Sequence, residues 1–184
     1  MDKRRILVVV DMQNDFTSGV LGNPECEANV AKVVETIKSG KFDDIIMTRD
    51  THTDNYLETL EGKNLPVKHC IIPTNGWQIR PEIIKVAQEN GNITYIDKVT
   101  FGSIGLGNAL ARLSDDNTEI YFCGVCTGIC VINNVAIAKA FLPENEVYVI
   151  EDACACVTPE SHKTAINAMK TFQTKIITTK DLNL

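Results

Sequence analysis

With 184 residues, 44% of them apolar and 23% charged, the chain is long and apolar enough to bury a substantial core, which excludes intrinsic disorder. A formal charge of −6 without any long basic run leaves no electrostatic footprint for a phosphate backbone, so nucleic acid is not expected as a partner. The apolar run behind MDKRR ends at Val10, too short for a signal peptide, and nothing approaches the roughly 18 apolar residues of a membrane span; the expectation is a cytoplasmic protein without a membrane partner.

Runs rich in β-branched residues alternate with amphipathic stretches from one end of the chain to the other. ILVVVD (Ile6–Asp11) reads as a strand, Glu27–Ser39 as a helix and DIIMTRD (Asp44–Asp50) as the second strand. A helix over Pro81–Glu89 leads to the strand ITYIDK (Ile93–Lys98), and a helix over Leu106–Leu113 to the strand EIYFCGV (Glu119–Val125). Gly128–Phe141 has helical spacing, EVYVIED (Glu146–Asp152) strand character, Pro159–Phe172 helical spacing again, and KIITT (Lys175–Thr179) closes the series as a strand. Thr158 before Pro159 is a cap followed by a first-turn proline. Strands that are apolar on both faces and alternate with helices predict a mainly parallel six-stranded sheet covered on both sides. The expected fold is a three-layer α/β/α domain spanning residues 1–184.

Ligands of such sheets bind beyond the carboxyl ends of the strands. Those ends carry Asp11, Asp50, Lys98 and the turn from Cys126 to Cys130, so one rim can hold carboxylates, an ammonium and a thiol. The glycines of GSIGLGN (Gly102–Asn108) fall as GxxGxG behind a loop, not as GxGxxG at a strand end, and no nucleotide cofactor is expected.

Seven cysteines, an odd number, with no secretory signal point to reduced thiols. Cys26, Cys70, Cys123 and Cys154 are expected to pack as small apolar residues. FCGVCTGICV (Phe122–Val131) poses a choice between a metal clip, a redox pair and a nucleophile. A zinc clip lacks a second CxxC, and a thioredoxin-like pair needs its first thiol at the start of a helix, whereas Cys123 lies within a strand pattern and Gly124 follows it. Cys130 differs, because Thr127 and Gly128 can open a helix and leave its thiol among backbone N–H groups without intrahelical partners. A thiol so placed is expected to fall from about 8.5 toward neutrality, and the same N–H groups can bind an oxyanion. Earlier in the chain, TRDTH places Asp50 and His52 two residues apart, and LPVKHC brings His69; two nitrogens and a carboxylate suit a divalent transition metal. His162, on the last helix, receives no role.

DMQNDF (Asp11–Phe16), KVTFGS from Lys98 and GVCTGICV together resemble the signatures of the isochorismatase-like cysteine hydrolases, a family that includes nicotinamidases. The resemblance implies Asp11 as general base, Lys98 as the cation and Cys130 as nucleophile. It also implies a cis Val125–Cys126 peptide and an oxyanion hole made by the backbone N–H groups of Cys126 and Cys130, the Cys126 thiol being incidental. Nicotinamidases use an Asp-x-His pair and a later His to hold a metal, zinc foremost, against the pyridine nitrogen, which would make Asp50, His52 and His69 the ligands. This chain departs from that pattern with D-T-H-T and with Leu65 where a tryptophan is common, and Glu58 or Glu61 would complete the ligand set. Phe16 and Phe101 are expected to flank a planar substrate, with Trp77 as a further candidate, and Cys156 in DACAC to serve packing. Members of the family associate as dimers or tetramers. The expected activity is hydrolysis of a small amide, nicotinamide first, through a thioester. Two other readings remain: another branch of the superfamily acting on ureido or carbamoyl amides or on an enol ether, and, from a different class, a thiol-based metal or redox binding protein.

Overall fold

The computed structural model describes residues 3–183. Its strands are β1 (Arg4–Val10), β2 (Asp44–Asp50), β3 (Asn92–Lys98), β4 (Thr118–Val125), β5 (Glu146–Ala155) and β6 (Lys175–Ile177). All pair in parallel in the order β3-β2-β1-β4-β5-β6. The helices are α1 (Asn14–Thr17), α2 (Pro24–Ser39), α3 (Leu60–Asn64), α4 (Pro81–Asn90), α5 (Ile104–Leu113), α6 (Ile132–Phe141) and α7 (Pro159–Thr171).

The five residues Ile6–Val10 of β1 are fully buried, as a central strand covered on both faces requires. From β1 the chain steps outward to β3 and then returns through α5 to β4. Right-handed crossovers therefore place α2 and α4 on one face of the sheet and α5, α6 and α7 on the other. The reversal opens a crevice at the carboxyl ends of β1 and β4. Val10 of β1 lies in register with Thr48 on one side and Gly124 on the other, and Asp50 lies in register with Lys98. Gly124 has φ +118°, and a Cβ there would come within 2.2 Å of the Val10 carbonyl oxygen.

Several boundaries differ from the expected ones. The helix expected over Gly128–Phe141 is divided: Thr127–Val131 form a wide turn in which the Val131 N–H reaches back to the Cys126 carbonyl at 3.1 Å, and α6 follows. Asn23 caps α2 by accepting the Cys26 N–H, so that helix begins at Pro24, ahead of Glu27. β5 continues past Asp152 to Ala155, and β6 stops at Ile177. The glycines of GSIGLGN prove to be the start of α5, capped by the Ser103 hydroxyl, which accepts the Leu106 N–H. No helix among the described residues is long and apolar enough to cross a membrane.

Candidate active site

Asp11 breaks β1 with φ 48°, a left-handed conformation that a short polar side chain tolerates. Thr48 of β2 holds it there, accepting the Asp11 N–H at 3.2 Å and donating its hydroxyl to Oδ1 at 2.6 Å. At the end of β3, the buried Lys98 Nζ lies 2.6 Å from Asp11 Oδ2, 3.5 Å from Asp50 Oδ1 and 3.6 Å from Cys130 Sγ. The carboxylate, the ammonium and the thiol singled out in the sequence therefore meet at one point above three strand ends.

Asn134 of α6 ties the two halves of this point together. Its amide donates to the carbonyls of Cys130 at 2.8 Å and Phe101 at 3.0 Å, while its Oδ1 accepts the Ser103 N–H at 2.9 Å. On the opposite side, His162 of α7 lies 2.9 Å from the Thr127 hydroxyl and steadies the wide turn from behind, away from the cluster. The Val125–Cys126 peptide that leads into the turn is cis.

The charges in this site are unbalanced. Burial pushes the Asp11 carboxyl up, and Lys98 offsets that only in part. Burial works against the Lys98 ammonium, but Asp11, Cys130 and Asp50 outweigh it and hold the amine protonated. The Cys130 thiol is pushed well up, first by burial and then by the Asp11 carboxylate, with Lys98 opposing. The sequence-based expectation of a thiol near neutrality is thus corrected: Cys130 is only 6% exposed, and a thiolate there would be a third anion against a single ammonium. Asp11 Oδ2 is in ion-pair contact with Lys98, and the same carboxylate faces the Cys130 thiol.

Beside Asp11, Lys98 and Cys130, the side chains of Asp50, His52, Glu61 and His69 each direct one donor atom inward, all within 4.8 Å of one another. Asp50 Oδ2 lies 2.9 Å from His52 Nε2 and 3.3 Å from His69 Nε2, and Glu61 Oε1 faces the same two nitrogens at 3.8 and 3.7 Å. The Val67 carbonyl accepts from His69 Nδ1 at 2.8 Å, which leaves the lone pair of Nε2 facing the cluster. Two imidazoles and two carboxylates at this spacing fit a divalent transition metal. Of the two acids considered from the sequence, Glu61 on α3 joins this group; Glu58, one turn earlier, does not.

Residues the sequence reading passed over hold this second cluster. The Gln13 side chain brackets the Asp50 backbone, with Oε1 accepting its N–H at 2.7 Å and Nε2 donating to its carbonyl at 2.8 Å. Tyr56 packs its ring 4.7 Å from His52 and 4.9 Å from His69. Asp15 accepts the Cys70 N–H at 2.8 Å and so fixes the chain just after His69. Gln13 and Asp15 both stand in DMQNDF, where only their proximity to Asp11 signalled a use.

A cavity of about 370 Å³ joins the two clusters, lined by Cys126 and Cys130 on one wall and Asp50, Glu61 and His69 on another. Phe16, Leu21, Leu65, Phe101, Ile129 and Val157 give it an apolar interior. Phe16 and Phe101, expected to flank a planar substrate, are both in this lining. Trp77 does not line this cavity: its indole N–H donates to Thr51, and its ring carries the Arg49 guanidinium at 4.0 Å. The three thiols that are close in sequence also separate, with Cys123 fully buried within β4, Cys126 half-buried at the cavity wall and Cys130 beside Lys98.

Residues 5–181 match the family model of the isochorismatase domain. The chain belongs to the isochorismatase family. It is an isochorismatase-family hydrolase, and its fold is shared with solved structures over nearly their whole length. Pyrazinamidase of Pyrococcus horikoshii in complex with zinc is 29% identical, with 95% of this chain and 99% of that one covered and a TM-score of 0.76. An Acinetobacter baumanii nicotinamidase and pyrazinamidase is 24% identical, with 99% of both chains covered and a TM-score of 0.77. N-carbamoylsarcosine amidase from Thermoplasma acidophilum is 20% identical, with 96% of both covered and a TM-score of 0.74. The likeness to the last two is one of fold. No curated protein is matched by sequence.

Proposed function

We propose that this isochorismatase-family hydrolase is a cysteine amidohydrolase that converts a small planar amide, nicotinamide foremost, to the carboxylic acid and ammonia. The observation that carries this reading is the Lys98 ammonium, 2.6 Å from Asp11 and 3.6 Å from Cys130, whose own side chain lines a cavity shared with Asp50, Glu61 and His69.

Asp11 takes the proton of the Cys130 thiol as the sulfur attacks the amide carbon. Lys98 stays charged throughout and offsets the negative charge that moves between carboxylate and sulfur. The tetrahedral oxyanion is received by the backbone N–H groups of Cys126 and Cys130. Asp11 then passes its proton to the departing nitrogen, ammonia leaves, and a thioester remains on Cys130. Asp11 next accepts a proton from water, the resulting hydroxide attacks the thioester, and the carboxylic acid departs as the thiol is restored. Phe16 and Phe101 present apolar faces to a flat ring. Asp50, His52, Glu61 and His69 would hold a divalent metal, zinc foremost, whose chemistry is to take a ring nitrogen as ligand and orient the carboxamide toward Cys130.

Ammonia release is the direct test, with nicotinamide and N-carbamoyl compounds offered separately to the zinc-supplemented protein and to Cys130→Ala. Turnover of nicotinamide that vanishes in Cys130→Ala is the expected result. Turnover of N-carbamoyl compounds alone would move the protein to the other amide-cleaving branch of its family, and turnover undiminished in Cys130→Ala would remove the nucleophile.

A further inference from the structure

Three cysteines that the proposed reaction leaves aside converge behind the oxyanion turn. Cys26 comes from the first turn of α2, and Cys126 and Cys156 are the residues that follow β4 and β5. Val125 and Ala155 lie in register across β4 and β5, so Cys126 and Cys156, the next residue of each, are neighbours, and Cys26 Sγ lies 3.9 Å from the Cys156 carbonyl oxygen. Among the described residues, the only group whose donor atoms close to metal-binding distance is the Asp50 cluster; the three sulfurs do not. Their arrangement suits a bridge between two of them.

The two outer thiols differ in surroundings. Cys26 is fully buried, its sulfur accepting from the Asn23 amide at 3.2 Å. Cys156 borders a groove of about 510 Å³ between the wide turn and α7, shared with Gly128, Val157 and Ser161, which admits a molecule the size of a peroxide. A Cβ on Gly128 would sit 3.5 Å from Cys156 Sγ, so the absence of a side chain there leaves the approach open. The Cys126 thiol, then the Ser161 hydroxyl and the Gly128 and Val157 N–H groups, bring the Cys156 thiol down to about 5 against the effect of burial.

We infer that Cys156 and Cys126 form a peroxide-oxidisable pair whose disulfide disables the oxyanion turn. The Cys156 thiolate attacks the peroxide and the O–O bond breaks; an alkoxide or hydroxide leaves and takes up from solvent the proton that the thiol had released, departing as an alcohol or water, and Cys156 becomes a sulfenic acid. The Cys126 sulfur then attacks it: the S–S bond forms, the S–O bond breaks, and water leaves with the Cys126 proton. Two thiols lose two electrons and one peroxide gains them. Cys126 also carries a backbone N–H assigned to the oxyanion hole, so a bond on its side chain draws that N–H out of place. This consequence for activity rests on the proposed hydrolysis; the bridge itself does not.

The experiment exposes wild type, Cys130→Ala and Cys156→Ser to hydrogen peroxide and maps the cysteine peptides by mass spectrometry. A Cys126–Cys156 linked peptide is expected in wild type and in Cys130→Ala, and not in Cys156→Ser. Ammonia release by wild type is expected to fall about a hundredfold, the scale of losing one oxyanion donor, and to return with dithiothreitol, while Cys156→Ser resists the same exposure. A Cys26–Cys126 bridge, no bridge at all, or a bridged protein with undiminished turnover would each overturn the inference. Mapping in Cys130→Ala needs no catalysis, so failure of the amidase reading and failure of the thiol pair are told apart.

Discussion

The side-chain amide of Gln13 grips the main chain of Asp50 at both ends, through contacts of 2.7 and 2.8 Å. A residue just past β1 thereby fixes the last residue of β2, whose carboxylate faces His52 and His69 on one side and Lys98 on the other. Gln13→Ala leaves a buried N–H and a buried C=O without partners at about 1–3 kcal/mol each, so a loss of roughly 2–6 kcal/mol is expected in urea denaturation. Zinc affinity, measured by competition with a chelator, is expected to weaken by about 10–100-fold as the carboxylate loses its support.

Lys98 is the one cation between two buried carboxylates and a thiol. Lys98→Ala leaves Asp11 and Asp50 facing each other uncompensated, and a destabilisation of about 3–5 kcal/mol is expected from chemical denaturation. Lys98→Met with Asp11→Asn removes both charges of the closest pair and is expected to recover much of that stability, though no turnover.

The pH dependence follows from Asp11. Burial raises its carboxyl, so the folded protein binds this proton more tightly than the unfolded chain does. Only ionised Asp11 can accept the thiol proton, and kcat/KM is expected to fall, as pH drops, at a midpoint above the ordinary carboxylate value of about 4. Stability has the opposite sign: the contribution of Asp11 is fully present below the unfolded value and is lost as pH rises through the folded one. Asp11→Asn should remove both dependences, and an acid limb at an ordinary carboxylate value would count against this assignment.

Zinc added to metal-free protein is expected to raise Tm in proportion to the logarithm of its excess over Kd. His52→Ala and His69→Ala each remove one of the two imidazoles and should abolish that rise, whereas Glu58→Ala, outside the cluster, should leave it unchanged.

Gly124 links the scaffold to the site. Any Cβ there meets the Val10 carbonyl oxygen at 2.2 Å, at a backbone angle side chains rarely adopt. Gly124→Ala is expected to cost roughly 2–4 kcal/mol in denaturation and to shift the turn that carries Cys126 and Cys130.

Much of this architecture was legible in the order of residues. Burial on both faces writes itself into a strand as an unbroken apolar run, which is why Ile6–Val10 and the strands after it were found and read as a parallel sheet. The same rule located Asp11, Asp50, Lys98 and Cys130 at strand ends, and two-residue spacing brought His52 alongside Asp50.

Contacts between distant segments were decided only by the folded chain. Glu61 joins Asp50 because α3 turns it inward and leaves Glu58 outside, a matter of one helical turn in a loop without strong periodicity. Burial, Asp11 and Asp50 push the Cys130 thiol up and Lys98 opposes them, a balance set by groups far away in sequence. Local pattern records which face of an element meets the core; it does not record which polar groups from separate elements arrive at the same point. Thus Cys123, Cys126 and Cys130, neighbours in the chain, are parted by the fold, while Cys26, Cys126 and Cys156 are brought together by it.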